Sequence, residues 1–212
     1  MLGKIGAMAS ALALGACSVF GIRSGTPQPA YRVIAHAGDA EIRAYGPRLA
    51  AQTEAEGDTD EARGAAFRRL AAYIFGANHG HASIAMTAPV ATSAAGTSIA
   101  MTAPVATSGA DGHGLTMTFY MPAQFTAATL PVPNDPRVRI VTVPAQTVAV
   151  WRYSGSTGDS HVAAAHAALL SALAGSPWRP VGSVYDWFYD PPWTLPPLRR
   201  NEAVVEVTQA PK

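Results

Sequence analysis

The order of its apolar patterns constrains this chain most, because that order occurs twice. Tyr31 to Ala37 and Glu41 to Glu56 alternate as extended segments around a turn at Ala37 to Asp39, with a break at Gly46-Pro47. Asp58, with Glu61 three positions later, has the form of a helix cap. Phe67, Leu70, Ala71 and Ile74 then recur at helical spacing, and Gly76 or Asn78 can end the helix. Further extended segments follow at Ile84 to Val90, Ile99 to Val105 and Leu115 to Met121. The second half repeats this order. Val138 to Val143 and Thr147 to Tyr153 alternate around Pro144. Val162, Ala165, Leu169 and Leu173 draw a second helical stripe, ended by Gly175, and strands follow near Val184 to Tyr189 and Ala203 to Thr208. Both halves read strand, strand, helix, strand, strand. Antiparallel strands with the helices packed outside would bury both stripes on one sheet. Closing that sheet into a barrel would remove its exposed edges. Two separate small domains are the alternative, although the connector Pro131 to Pro136 is short.

The closest repetition is local. Ser83 to Ser93 recurs unchanged as Ser98 to Ser108, and two such strands could form a hairpin through Ala94 to Thr97. Their methionines suit a core, or the lining of a ligand cavity. Pro89 and Pro104 cannot donate to a ladder and so belong at an edge, an end or a bulge.

The first residues have the layout of an export signal. Lys4 stands in a short basic head, Ile5 to Ala16 are apolar, and Leu14-Gly15-Ala16-Cys17 places the single cysteine where a bacterial lipoprotein is cut and acylated. The apolar run is shorter than the roughly 20 residues of a spanning helix. An ordinary secretory signal with an incidental cysteine is the alternative. Residues 1–16 are read as the signal peptide, 17–30 as a lipidated tether and 31–212 as one domain, with pseudo-repeats at about 31–130 and 137–208. Ser18 after the cysteine implies an outer-membrane lipoprotein facing the periplasm, if the cell is a diderm. With a single cysteine no intramolecular disulfide can form. Without Lys4, 14 Lys and Arg balance 14 Asp and Glu, a poor match to a nucleic-acid backbone.

No catalytic constellation emerges. The serines around Gly155 and Gly158 lack a G-x-S-x-G elbow, and the chain has neither a G-x-G-x-x-G nor a Walker loop. His79-Gly80-His81 has no nearby cysteine or carboxylate to complete a metal site. His161 and His166 stand five apart, off the i,i+4 face, and His113 lies between glycines. Trp178, Tyr185, Trp187, Tyr189 and Trp193 make the late region unusually aromatic, fitting a compact core, a ligand cleft or a protein-interaction surface.

An ordered set of segments resembles the SOUL haem-binding family. It comprises Glu41-Ile42-Arg43-Ala44-Tyr45-Gly46-Pro47, Phe67 to Asn78, both Ile-Ala-Met-Thr-Ala-Pro-Val copies and Phe119-Tyr120-Met121-Pro122. Leu130-Pro131-Val132-Pro133, Tyr189-Asp190-Pro191-Pro192-Trp193 and Arg199-Arg200-Asn201-Glu202 complete it. The resemblance covers roughly Tyr31 to Val207. It implies an α+β fold, a distorted antiparallel β-barrel of two similar halves with two outer helices. It also implies non-catalytic binding of haem or a related hydrophobic tetrapyrrole, with haem not required for folding. The family's cleft, carried over by motif, implicates the helix from Asp60 to Gly76, with Phe67, Leu70 and Ala71, and a late loop with Trp193 and Thr194. Arg199 and Arg200 are candidates to meet ligand carboxylates, or belong to a structural ion pair with Glu202. Ala44 stands where some animal members carry a proposed histidine ligand, which leaves His36 on the neighbouring strand as a candidate axial ligand. Gly64, Ala72 and Thr194 stand where another member has basic residues. The partners implied are a tetrapyrrole and, through the acylated Cys17, a lipid bilayer. The alternative from a different class is a protein-interaction or scaffolding lipoprotein with an envelope protein as partner.

Overall fold

A computed structural model describes residues 26–57, 60–94, 114–191 and 193–210. Cys17, Asp58, His113 and the second Ser98 to Ser108 copy lie outside the described residues. Nine strands form one antiparallel sheet: β1 (Tyr31–Ala37), β2 (Ala40–Tyr45), β3 (Arg48–Glu56), β4 (Val90–Ala94), β5 (Gly114–Tyr120), β6 (Arg139–Val143), β7 (Gln146–Tyr153), β8 (Trp178–Phe188) and β9 (Asn201–Gln209). Helix α1 (Asp60–Ile74) follows β3, and α2 (Asp159–Leu173) follows β7. No helix among the described residues is long and apolar enough to cross a membrane.

The strand order is β1-β2-β7-β9-β8-β4-β5-β3-β6. Exchanging β2 to β5 with β6 to β9 reverses the order of those eight strands, so the sheet has a pseudo-twofold between β4 and β8. Each set gives its first strand to the other set's flank: β2 pairs with β7, and β6 pairs with β3. Both helices lie on one face. α1 covers β3 and β5, and α2 covers β7, β8 and β9. Alternation sends Ala51, Met117 and Phe119 under α1, against Ala66, Leu70, Tyr73 and Ile74. Ile42, Ala149, Ala203 and Val205 lie under α2, against Ala165, Leu169 and Leu173.

The sheet is not closed, which corrects the barrel expectation. Among the described residues β1 and β6 remain edges with no further strand beside them. Closure is one way to protect an edge, and here the edges are blunted by other means. β1 carries a register shift between Val33 and Ala35. β6 is five residues long, begins at a charged Arg139 and lies between Pro136 and Pro144. The sheet nevertheless curls. Arg48 at the start of β3 reaches Gln146 at the start of β7, strands far apart in the order (Nη2 to Oε1 2.7 Å). The helix-free face is therefore concave and folds onto its own core of Tyr45, Ala50, Tyr120, Val148, Trp187 and Val204.

Two strand expectations also change. Ile84 to Pro89 is irregular, and the strand begins at Val90. Ile84 instead donates its N–H to the Ile74 carbonyl (2.8 Å) and buries its side chain beneath α1. Pro89, preceded by a cis bond, stands just before the strand, where its missing donor does no harm. β4 pairs with β5 and β8, and the hairpin expected through Ala94 to Thr97 falls outside the described residues. β8 starts at Trp178, ahead of the expected Val184. Gly182, at φ +78°, sits in a register shift between Val181 and Tyr185 that breaks the period-two pattern.

Candidate functional site

Helix α1 organises one groove. Beyond its end Gly76 turns the chain at φ +112°, and Asn78, almost fully buried, fastens the loop. Its Nδ2 donates to the carbonyls of Tyr73 and Ala82 (both 2.8 Å), and its Oδ1 accepts from Ala82 N (2.9 Å). The connector between the halves is stitched to this loop. His79 N donates to Val132 O (2.9 Å), Asn134 N to Ala77 O (3.2 Å) and Tyr73 Oη to Pro131 O (2.9 Å). Residues 134–138 thereby form a wall facing Arg69, Ala72, Tyr73 and Ala77, enclosing a groove of about 570 Å³. That lies within the roughly 300–1,000 Å³ of small-molecule sites. Its surface is mostly carbon, with Arg69 and Arg137 at its rim. Asp135 holds both cations, at 3.7 Å and 2.7 Å. Hydrogen bonds from the Arg137 side chain and backbone lower the Asp135 carboxyl to about 2. Arg69 is further fixed by Thr53 Oγ1 (2.6 Å) and Glu54 O (2.9 Å).

A second groove, of about 550 Å³ and more polar, lies between Arg152, Tyr153 and Ser154 at the end of β7 and Pro197, Leu198 and Arg199. Arg199 donates from Nε to Thr194 O (2.8 Å), which ties the turn holding Trp193 to this groove.

The expected site residues are not gathered into one place. Leu70, on the sheet-facing side of α1, is fully buried. Phe67 is 39% exposed and meets Phe119 edge-on at 5.4 Å. Ala71 is half-buried and shares the Phe67 flank at i,i+4. Arg63 on that flank reaches Asp159 of α2 (3.6 Å), so it faces the other helix, whereas the groove opens on the opposite flank, at Arg69, Ala72 and Tyr73. Trp193 is 64% exposed. His36 is exposed on edge strand β1 opposite Glu41, and lines neither groove. His79 and His81 are exposed, and no cluster of three metal-binding side chains occurs among the described residues. Asn78 was read only as a possible helix end, and Arg69 and Asp135 escaped the sequence reading. Their signal was no more than the turn-forming Asn134-Asp135-Pro136 and an arginine off the apolar stripe.

Arg200 belongs to a buried network on the concave face. Glu202, fully buried, accepts from Arg43 Nη1 and Nη2 (2.9 and 3.1 Å), from Arg200 Nε and Nη2 (2.9 and 2.7 Å) and from the Tyr189 hydroxyl (2.7 Å). Burial pushes the Glu202 carboxyl up, but the hydrogen bonds and charge of Arg43, then Arg200 and Tyr189, outweigh it, and the net shift is downward. Arg43 also pairs with Glu41 (2.7 Å). Arg200 is therefore an internal counter-ion.

A haem has to fit these residues. The groove on α1 offers apolar packing and two rim cations, but among the described residues no histidine, cysteine or methionine lines it, and the hydroxyl of its Tyr73 is engaged by Pro131 O. It suits a tetrapyrrole held by its faces and carboxylates, without strong axial ligation.

Solved structures share this fold at low identity. The C-terminal domain of EcmrR superposes with a TM-score of 0.56 at 11% identity, covering 85% of this chain and 99% of that chain. An uncharacterized conserved protein from Listeria innocua gives 0.56 at 12%, covering 80% and 92%. A protein from the same organism described as a hydrolase gives 0.52 at 12%, covering 82% and 94%. At such identities the likeness establishes the fold alone. No curated protein matches the chain. The SOUL heme-binding protein family model matches residues 26–206. The chain belongs to the SOUL heme-binding protein family, and that membership supports a non-catalytic, haem-binding role in which the fold does not depend on haem.

Proposed function

We propose that the protein holds haem, or a related hydrophobic tetrapyrrole, in the groove between α1 and residues 134–138. The groove itself carries this reading: it combines an apolar wall of suitable size with guanidinium groups at the rim. The ring packs on Ala72, Tyr73, Ala77 and Val138, gaining about 25 cal/mol per Å² of apolar surface withdrawn from water. Arg69 and Arg137 orient its carboxylates by charge-assisted hydrogen bonds. Since no histidine, cysteine or methionine among the described residues lines the groove, and the Tyr73 hydroxyl is engaged by Pro131 O, haem and metal-free porphyrin should bind within a few-fold of each other. In titrations, Ala72→Glu should weaken both at least about tenfold, because it places a charge in an apolar seat. Phe67→Ala and Trp193→Ala should leave both almost unchanged. The opposite ranking would move the ligand to the Phe67 flank of α1. Absence of saturable binding would reject the tetrapyrrole reading. It would favour instead an envelope protein docking on the exposed Trp193, Leu195 and Leu198.

In the same proposal, Cys17 carries the lipid and holds the domain at the periplasmic face of the outer membrane of a diderm cell. The lipobox supports this, and stable attachment calls for more than one acyl chain. Intact mass of the membrane-extracted protein should show a product starting at an acylated Cys17. An unmodified product starting elsewhere overturns the anchor.

A further inference from the structure

Among the described residues, three arginines of the concave face are packed into its core, Arg43, Arg48 and Arg200, and only two of these have a carboxylate. Arg43 and Arg200 share Glu202. Arg48, at the start of β3, has none among the described residues. Its Nη2 donates to Gln146 Oε1 (2.7 Å), while Nε and Nη1 are buried without any acceptor. The guanidinium carbon lies 4.2 Å from the ring centre of Tyr45 and 4.7 Å from that of Tyr120. Those contacts place the cation over both rings and give its Nε and Nη1 no hydrogen-bond acceptor. Glu206 also projects from the concave side of β9, but it makes no ion pair with Arg48.

A second orphan donor lies in the same cluster. Trp187 is fully buried, packs edge-on against Tyr45 at 5.4 Å and Tyr120 at 6.1 Å, and its Nε1–H has no acceptor. The Tyr120 hydroxyl lies beside it, close enough for the indole N–H to oppose the upward push of burial on that hydroxyl. Buried donors without acceptors are rare in native proteins, and a buried cation without a counter-charge is rarer still. Both defects occur in one cluster, and both call for an acceptor.

We propose that this concave face is a second binding site, which takes a small carboxylate at Arg48 with Trp187 Nε1–H as a further donor. One cation calls for one negative charge. A planar carboxylate carries that single charge and matches the fork of a guanidinium, whereas a doubly charged tetrahedral anion brings one charge too many. The site faces away from both helices, so it is independent of the tetrapyrrole groove.

Formate, acetate and benzoate, each titrated into the purified protein against chloride at fixed pH and ionic strength, test this directly. At least one should raise the unfolding temperature saturably and shift the Trp187 indole N–H resonance, assigned by its loss in Trp187→Phe. Arg48→Met should weaken binding at least about tenfold, Arg48→Lys less, and Trp187→Phe a few-fold, as expected for losing charged and neutral hydrogen bonds. If Arg48→Met does not fold, the indole resonance of the unmodified protein still decides. An indole N–H that does not move at saturating carboxylate overturns the site, as does a response that a folded Arg48 variant retains in full. Haem binding should not change in any of the three variants.

Discussion

Replacing Glu202 by Gln should cost about 3–5 kcal/mol of folding stability, the scale for breaking a buried ion pair by removing one partner. Gln keeps the size of the side chain but not the charge that neutralises Arg43, whose side chain is 3% exposed, and Arg200. Urea unfolding of the two proteins measures the difference, and a loss below about 1 kcal/mol would mean that the network is solvated. Arg43→Met should cost a similar amount. The double variant should fall short of the sum of the two by about 0.5–3 kcal/mol, because the residues share one set of bonds. Acid supplies the sign. The Glu202 carboxyl is lowered in the fold from its ordinary 4.5, so below that value the unfolded chain takes up the proton first. The contribution is fully present above the ordinary value and is lost as pH falls through the folded one. The gap between the wild-type protein and Glu202→Gln should therefore be constant above about pH 5.5 and narrow below pH 4.5.

Leu70→Ala should destabilise by about 2–5 kcal/mol, since the side chain is fully enclosed between α1 and the sheet and its removal leaves a cavity. Phe67→Ala, one turn away, should cost only about 1–2 kcal/mol. Its ring is 39% exposed, and its edge contact with Phe119 is the main loss. Thermal unfolding of the two variants ranks them. Equal losses would mean that Phe67 is as much a core residue as Leu70. This ranking also keeps the ligand titrations interpretable, because Phe67→Ala leaves a folded protein.

Period-two alternation and the two 3.6-period stripes reveal β1 to β3, β5 to β7, β9 and both helices, because each pattern is a local record of which face is buried. The pattern fails at β8, where Gly182 inserts a bulge. It fails again at Ile84 to Pro89, where the side chains are buried by a loop bound to the end of α1. In both places apolar residues are buried without the regular backbone that periodicity presupposes. The candidate site was less legible. The family resemblance pointed to α1, yet helical spacing alone does not say which flank of a helix will face a groove. That flank depends on residues 131–138 folding back onto the turn after Ile74.

By itself the sequence determined the kind of elements, their duplicated order, the helix stripes that must meet a sheet and the family. All of these rest on interactions within a few residues or on motifs read in order. Tertiary structure alone decided that the sheet stays open, that β2 and β6 cross to the opposite flank, and that Arg43 finds Glu202 across 159 positions of sequence. It also decided that Arg48 finds no carboxylate. A charge on a strand is read locally only as polar, and its partner is set by which distant strands the curl of the sheet brings together.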